Sequence, residues 1–170
     1  SGGWPGRPTP WTTTAWAAET LDPEVGLVVG GDYNVAPTDA DVWSAPAAHG
    51  GTHVSGPERD ALARLRAVGL TAAYRDLRPA PGRFSCWHYR AGMFHQDLGM
   101  RIDLVLASDA VAARVRGAWV DRQARKGSGP SDHAPGIVDL DEAPDGDRGP
   151  VVPPPSAPLG PWGRGVSVPT

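Results

Sequence analysis

Periodic apolar sequence in this chain is confined to residues 21–141, and that confinement sets how much of it can pack. Residues 143–170 hold 8 Pro and 5 Gly in 28 positions, including Pro153-Pro154-Pro155, too little apolar surface to offset the entropy of ordering. Residues 1–20 are rich in Gly, Pro, Thr and Trp without helical or strand period, so Trp4, Trp11 and Trp16 have no evident core to enter. The expected organisation is an irregular lead over 1–20, one folded unit over 21–141 and a disordered tail over 142–170. A unit of that length falls in the common domain range of ~100 to 150 residues.

Within that unit, strand and helix patterns alternate, which predicts a mixed α/β (α+β) fold. Residues 25–29 form a short apolar run closed by Gly30-Gly31, read as a buried strand ending in a tight turn with Asp32 at its exit. Ser55-Gly56-Pro57-Glu58 matches a capping box, with Ala61, Leu62, Leu65 and Val68 following at helical spacing and Gly69 as the stop. Residues 101–106 alternate, so that Ile102, Leu104 and Leu106 share one face and Asp103 and Val105 the other. A short helical stretch over 109–116, a strand over 118–121, a Gly/Ser/Lys loop and a last strand over 135–140 complete the prediction.

The formal net charge of −3 hides an uneven distribution: residues 51–133 carry 13 Lys+Arg against 8 Asp+Glu, a balance of +5. That middle suits a polyanion, and equally an ordinary mixed-charge surface. The single cysteine, Cys86, excludes an intrachain disulfide and is compatible with a reducing compartment. No apolar run approaches the ~20 residues of a membrane span and no signal pattern opens the chain, so a cytoplasmic monomer with no membrane partner is expected.

Three polar motifs sit beside apolar runs: Gly31-Asp32-Tyr33-Asn34, Met100-Arg101-Ile102-Asp103 and Pro130-Ser131-Asp132-His133. Each places a carboxylate where a strand meets a loop, the usual position for groups presented to a cleft. Phosphodiester hydrolysis needs a positioned water, a proton acceptor, and cations or donors around the phosphoryl oxygens. Asp32 can accept a water proton, while Asn34, two residues on along an extended segment, donates its amide to phosphate. His133 can donate to the phosphate once Asp103 fixes its tautomer, and Asp132 remains as a hard ligand for Mg²⁺ or Mn²⁺. Each motif also has a plain reading, as an Asx-type turn, an exposed strand residue and a loop.

The segments GDYNVAPTDADVW (31–43), THVSGPER (52–59), FSCWHYRAGMF (84–94), GMRIDLVLAS (99–108) and DRQARKGSGPSDHAPGIVDL (121–140) resemble the C-terminal half of bacterial exodeoxyribonuclease III. That enzyme belongs to the endonuclease/exonuclease/phosphatase superfamily, and the resemblance spans about residues 15–141. It implies half of a four-layer α/β/β/α sandwich and a Mg²⁺- or Mn²⁺-dependent enzyme that cuts double-stranded DNA at abasic sites and trims 3′ ends. In that frame Asp32 deprotonates the attacking water, Asn34 and His133 hold the scissile phosphate, Asp103 pairs with His133, and Asp132 assists at the metal. Trp87, Arg90, Phe94, Met100 and Arg101 are expected near the extruded sugar or the DNA backbone.

The resemblance also implies an N-terminal half carrying the principal metal-ligating glutamate, which is expected to be missing, since Glu19 and Glu24 are the only glutamates before Asp32. Cys86 stands where relatives carry an aromatic residue and His88 where they carry an acid; Gly136 replaces a β-branched strand residue. Cys86 is read as a small buried apolar residue, His53 as a structural hydrogen-bonding group, and zinc-type sequence spacing is absent. The alternatives are a catalytically dead, truncated DNA-binding fragment using Arg90, Arg101, Arg122, Arg125 and Lys126, and a phosphatase of small phosphorylated substrates.

Overall fold

A computed structural model of the protein describes residues 26–141; the expected irregular lead and disordered tail lie outside the described residues. A three-stranded antiparallel sheet has the order β1 (Val28–Asp32), β3 (Asp103–Ser108), β2 (Leu70–Ala72), with β3 at its centre. A second antiparallel pair joins β4 (Val115–Val120) to β5 (Gly136–Leu140), with an irregularity between Val115 and Gly117. Four short helices punctuate the chain: α1 (Ala45–Ala48), α2 (Gly56–Arg66), α3 (Ala73–Leu77) and α4 (Asp109–Ala112).

The capping box forms as its sequence predicts. Ser55 Oγ accepts from the Glu58 amide at 3.4 Å, and the Glu58 carboxylate accepts from the Ser55 amide at 2.9 Å. α2 then runs to Arg66 and lays Leu62 and Leu65 on Leu104 and Leu106 of β3, with Leu70 and Ala72 beside them. The other face of β3 turns toward β5, where Asp103 and Val105 share a narrow gap with Ile137 and Val138. The described residues therefore stack helix, sheet and sheet, three layers of the sandwich that the resemblance implies.

The first strand differs from its sequence-based expectation. It starts at Val28 and continues through Gly30 and Gly31 to Asp32, because β3 pairs with it residue by residue, Gly31 opposite Leu104 and Asp32 opposite Asp103. Cross-strand pairing outweighs the turn tendency of the glycine pair. Gly31 has φ of 150°, a backbone conformation that L side chains rarely adopt. The strand β2 and the helices α1 and α3 were not anticipated, being too short to show a period. The strand over 118–121 begins three residues earlier, at Val115, and the helix over 109–116 is cut to Asp109–Ala112.

One buried ionic cluster holds the entry to β3. Asp41 is fully buried; its Oδ1 accepts from Arg101 Nε at 2.9 Å and also from Arg75, while its Oδ2 accepts from Thr38 Oγ1 at 2.7 Å. The Arg101 amide donates to the Asp41 carbonyl at 2.8 Å, so backbone and side chain are clamped together two residues before Asp103. Burial disfavours the Asp41 charge, but the Arg101 guanidinium and the Thr38 and Arg75 hydrogen bonds outweigh it and hold the carboxyl below its usual range.

Candidate active site

The site is built where three segments meet in backbone register. Asp32 ends β1 directly across from Asp103, which begins β3. An extended stretch, 84–87, lies between the approach to β3 and the 132–134 segment: Cys86 bridges both Met100 and His133, Trp87 donates its amide to Asp132 at 3.0 Å, and Ala134 donates to Ser85 at 2.7 Å. Those bonds fix His133 beside Asp103. His133 Nδ1 lies 2.8 Å from Asp103 Oδ2 and 3.1 Å from Oδ1, so as a donor it leaves Nε2 facing away from the pair.

Two like charges directly opposed on an antiparallel pair destabilise a sheet. Asp32 and Asp103 occupy that arrangement, and His133 is within 4.8 Å of both. Burial works against a charged His133, but the Asp103 hydrogen bond and the negative fields of Asp103, Asp32 and Asp132 overcome it and raise its pKa. The imidazole is biased toward the protonated form that donates to an anion. A cleft of about 380 Å³ opens on this group, lined by Gly31, Asp103, Ser131, His133 and Gly136 among others.

Asn34 departs from the expected geometry. It has φ of 53°, not an extended conformation, and its backbone amide and Nδ2 donate to Asp32 Oδ1 and Oδ2 at 2.8 and 3.0 Å. Asn34 is thus a clamp on Asp32, with one amide hydrogen left over. His53 takes the structural role expected of it: its Nδ1 lies 2.6 Å from the Asn34 carbonyl and steadies the same turn.

The residues expected at a DNA surface divide sharply. Arg90 is exposed, and Phe94 and Met100 are half-buried. Trp87 is 1% exposed, donates Nε1 to Asp97 at 3.1 Å and meets Phe94 edge to face at 5.3 Å, so it is a floor and not a stacking platform. Arg101 is also 1% exposed and belongs to the Asp41 cluster, where a phosphate cannot reach it without dismantling that cluster. Arg125 donates to the Trp87 carbonyl at 2.7 Å from a buried position, and Arg122 donates to the Phe94 carbonyl, which leaves Arg90 and Lys126 as the exposed cations of the set.

Sequence reasoning missed Ser85. Its fully buried hydroxyl accepts from the amides of Ile102 and Asp103, both at 3.1 Å, and so aims the first residue of β3. A serine between Phe84 and Trp87, two residues that pack in one cluster, was the available signal, because a buried hydroxyl needs partners.

The donor chemistry suits a hard cation. Asp32, Asp103 and His133 offer ligand atoms within 4.8 Å of one another, and oxygen-rich sets favour Mg²⁺ or Mn²⁺. The one glutamate among the described residues, Glu58, is committed to capping α2. No helix among the described residues is long and apolar enough to cross a membrane.

Opposed carboxylates and a carboxylate-paired histidine thus meet at the strand ends of a layered α/β fold. The chain belongs to the endonuclease/exonuclease/phosphatase family, whose model matches residues 3–133. It is 29% identical over 116 residues to the exodeoxyribonuclease of Bacillus subtilis, covering 68% of this chain and 44% of that protein. With exodeoxyribonuclease III of Haemophilus influenzae it shares 32% identity over 119 residues, covering 64% of this chain and 43% of the relative. A 3′-5′ exonuclease from Neisseria meningitidis superposes with a TM-score of 0.75 at 34% identity, over 78% of this chain and 52% of that one. An AP endonuclease from Archaeoglobus fulgidus matches with the same TM-score and coverage at 27% identity. The chain thus spans about half the length of the relatives it matches.

Proposed function

We propose that this chain carries the water-activating and phosphate-holding side of a metal-dependent DNA hydrolase acting at abasic sites and 3′ ends. The observation that carries the reading is the opposition of Asp32 and Asp103 beside His133, a charge arrangement costly to a sheet and useful to a phosphodiester. Relatives described as an exodeoxyribonuclease and an AP endonuclease, and a Neisseria neighbour bound to a product DNA hairpin, support DNA as the partner.

In this reading Asp32, oriented by both Asn34 donors, accepts the proton of the attacking water. Protonated His133, held by Asp103, donates from Nε2 to a phosphoryl oxygen, where charge builds as the bond to water forms. The remaining Asn34 amide hydrogen is available to a second oxygen. Asp132, beside the Asp32, Asp103 and His133 group, would help hold a Mg²⁺ or Mn²⁺ ion, which when bound supplies Lewis-acid stabilisation of that charge. Arg90 and Lys126 meet the flanking backbone.

The test is cleavage of an abasic-site duplex with Mg²⁺, compared with His133→Ala. Losing a positioned proton donor costs roughly 10²- to 10⁴-fold. Wild-type cleavage no greater than that of the variant would overturn the enzymatic reading; salt-dependent binding without turnover would leave a DNA-binding module in its place.

A further inference from the structure

We propose that Cys86, Asp132 and His133 form a binding site for a thiophilic divalent cation of the zinc class. The three side chains offer one sulfur, one oxygen and one nitrogen ligand atom, all within 4.8 Å of one another and half-buried. Asp132 and His133 follow Cys86 by 46 and 47 residues, which is why spacing shows no zinc pattern, and the fold assembles them. Cys86 and His133 face each other across an antiparallel bridge, the closest approach two strands offer. The flanking bonds, from Trp87 to the Asp132 carbonyl and from Ala134 to the Ser85 carbonyl, fix that pairing by backbone alone.

A second, independent feature points to a metal. His133 Nδ1 is bonded to the Asp103 carboxylate, so Nε2 is the nitrogen that offers a lone pair to a metal once its proton is displaced. A carboxylate holding one nitrogen of a histidine whose other nitrogen meets a metal is the usual outer support of zinc ligands. Sulfur, imidazole and carboxylate together suit tetrahedral Zn²⁺, with a fourth position left for water, whereas Mg²⁺ gains little from a sulfur donor. On binding, the Cys86 S–H proton and the Nε2 proton of protonated His133 pass to solvent as the S–Zn and N–Zn bonds form; no electrons are transferred.

The site shares His133 and Asp132 with the machinery proposed above, so Zn²⁺ on Nε2 removes the donor assigned to the phosphate and occupies a carboxylate assigned to the hard cation. That consequence, and only that, rests on the proposed function.

The test uses the full 170-residue chain, freed of metal and titrated with Zn²⁺ against a chromophoric chelator, and with Co²⁺ as a spectroscopic probe. One equivalent should bind, Co²⁺ should give a thiolate-to-metal charge-transfer band, and the band has one possible source because Cys86 is the only cysteine. Cys86→Ser should abolish the band and weaken Zn²⁺ binding at least tenfold, with Cys86→Ala as a second variant should the serine misfold. Absence of the band, or equal Zn²⁺ affinity in wild type and both variants, overturns the site. Stoichiometric Zn²⁺ should also suppress DNA cleavage in wild type and not in Cys86→Ser. A chain that never cleaves DNA would sink the proposed function while leaving the metal measurement decisive.

Discussion

Replacing Asp41 by Asn removes one buried negative charge without changing the side chain's shape, and its cost follows from what is left behind. Arg101 keeps a guanidinium whose side chain is 2% exposed, with its Nε and Nη2 at 2.9 and 2.8 Å from an oxygen that is no longer charged. Breaking a buried pair by neutralising one partner costs about 3–5 kcal/mol, against a total of about 5–15 kcal/mol for a typical domain. Arg75, 17% exposed, can turn its charge toward solvent; Arg101 cannot. Urea unfolding of Asp41→Asn should therefore show a lower midpoint at unchanged slope, a stability loss of about 3–5 kcal/mol. The double variant Asp41→Asn/Arg101→Met should recover part of that loss, since replacing the pair's charges by apolar volume is often close to neutral. The same variants decide what Arg101 does. If it is internal, Arg101→Met leaves the log–log salt slope of DNA binding unchanged. A slope reduced by about 0.9, the value for one lost phosphate contact, together with an Asp41→Asn cost below about 1 kcal/mol, would refute the buried-clamp account.

Removing the helix cap by Ser55→Ala should cost about 1 kcal/mol in urea unfolding, because the Glu58 amide loses its acceptor and the Glu58 carboxylate loses the hydroxyl donor while keeping the backbone amide of residue 55. The His133–Asp103 pair raises the His133 pKa, so its stabilisation is complete below the ordinary histidine value of ~6.5 and is lost as pH rises through the raised folded value. The melting-temperature gap between wild type and Asp103→Asn should accordingly be widest in mild acid and close above that value; a gap independent of pH contradicts the pairing. Asp32→Asn should abolish cleavage and change stability by less than about 1 kcal/mol, because relief of the like-charge opposition to Asp103 is offset by loss of one carboxylate acceptor for the two Asn34 donors. Unchanged cleavage of an abasic-site duplex would remove Asp32 from the proposed chemistry.

The features legible in sequence are those written locally. The α2 cap needs only residues 55–58, and the faces of β3 follow from alternation over six residues, which correctly separated Asp103 from Leu104 and Leu106. What was not legible depends on partners far along the chain. Gly30-Gly31 reads as a turn until β3, about 75 residues later, pairs with it. Arg101 reads as a surface cation because charge alone does not distinguish a phosphate contact from an internal counterion, and the deciding carboxylate is 60 residues away at Asp41. Trp87 was expected at a DNA-facing pocket, although an indole flanked by Phe84 and Phe94 has equal reason to be a packing centre.

The grouping of Asp32, Asp103 and His133 was legible for a different reason. Asp32, Asp103 and His133 each break a local preference: a carboxylate ends a strand opposite another carboxylate, and a histidine is drawn in among three acids. Folding energetics alone gives no reason to assemble such a group, so the stability that holds it has to come from elsewhere. It comes from atoms that carry no charge change in the proposed reaction: the Ser85 hydroxyl under Asp103, the Trp87 and Ala134 amides around His133, and the His53 ring against Asn34. This division explains why motif reading singles out the groups assigned above to catalysis and misses Ser85. Reactive residues stand out by violating patterning, whereas the residues that position them satisfy it. It also predicts where Cys86 exerts its effect, since it lies in the supporting segment 84–87 and yet presents sulfur to His133. A substitution there changes which cation the assembled carboxylates and imidazole attract before it changes the fold.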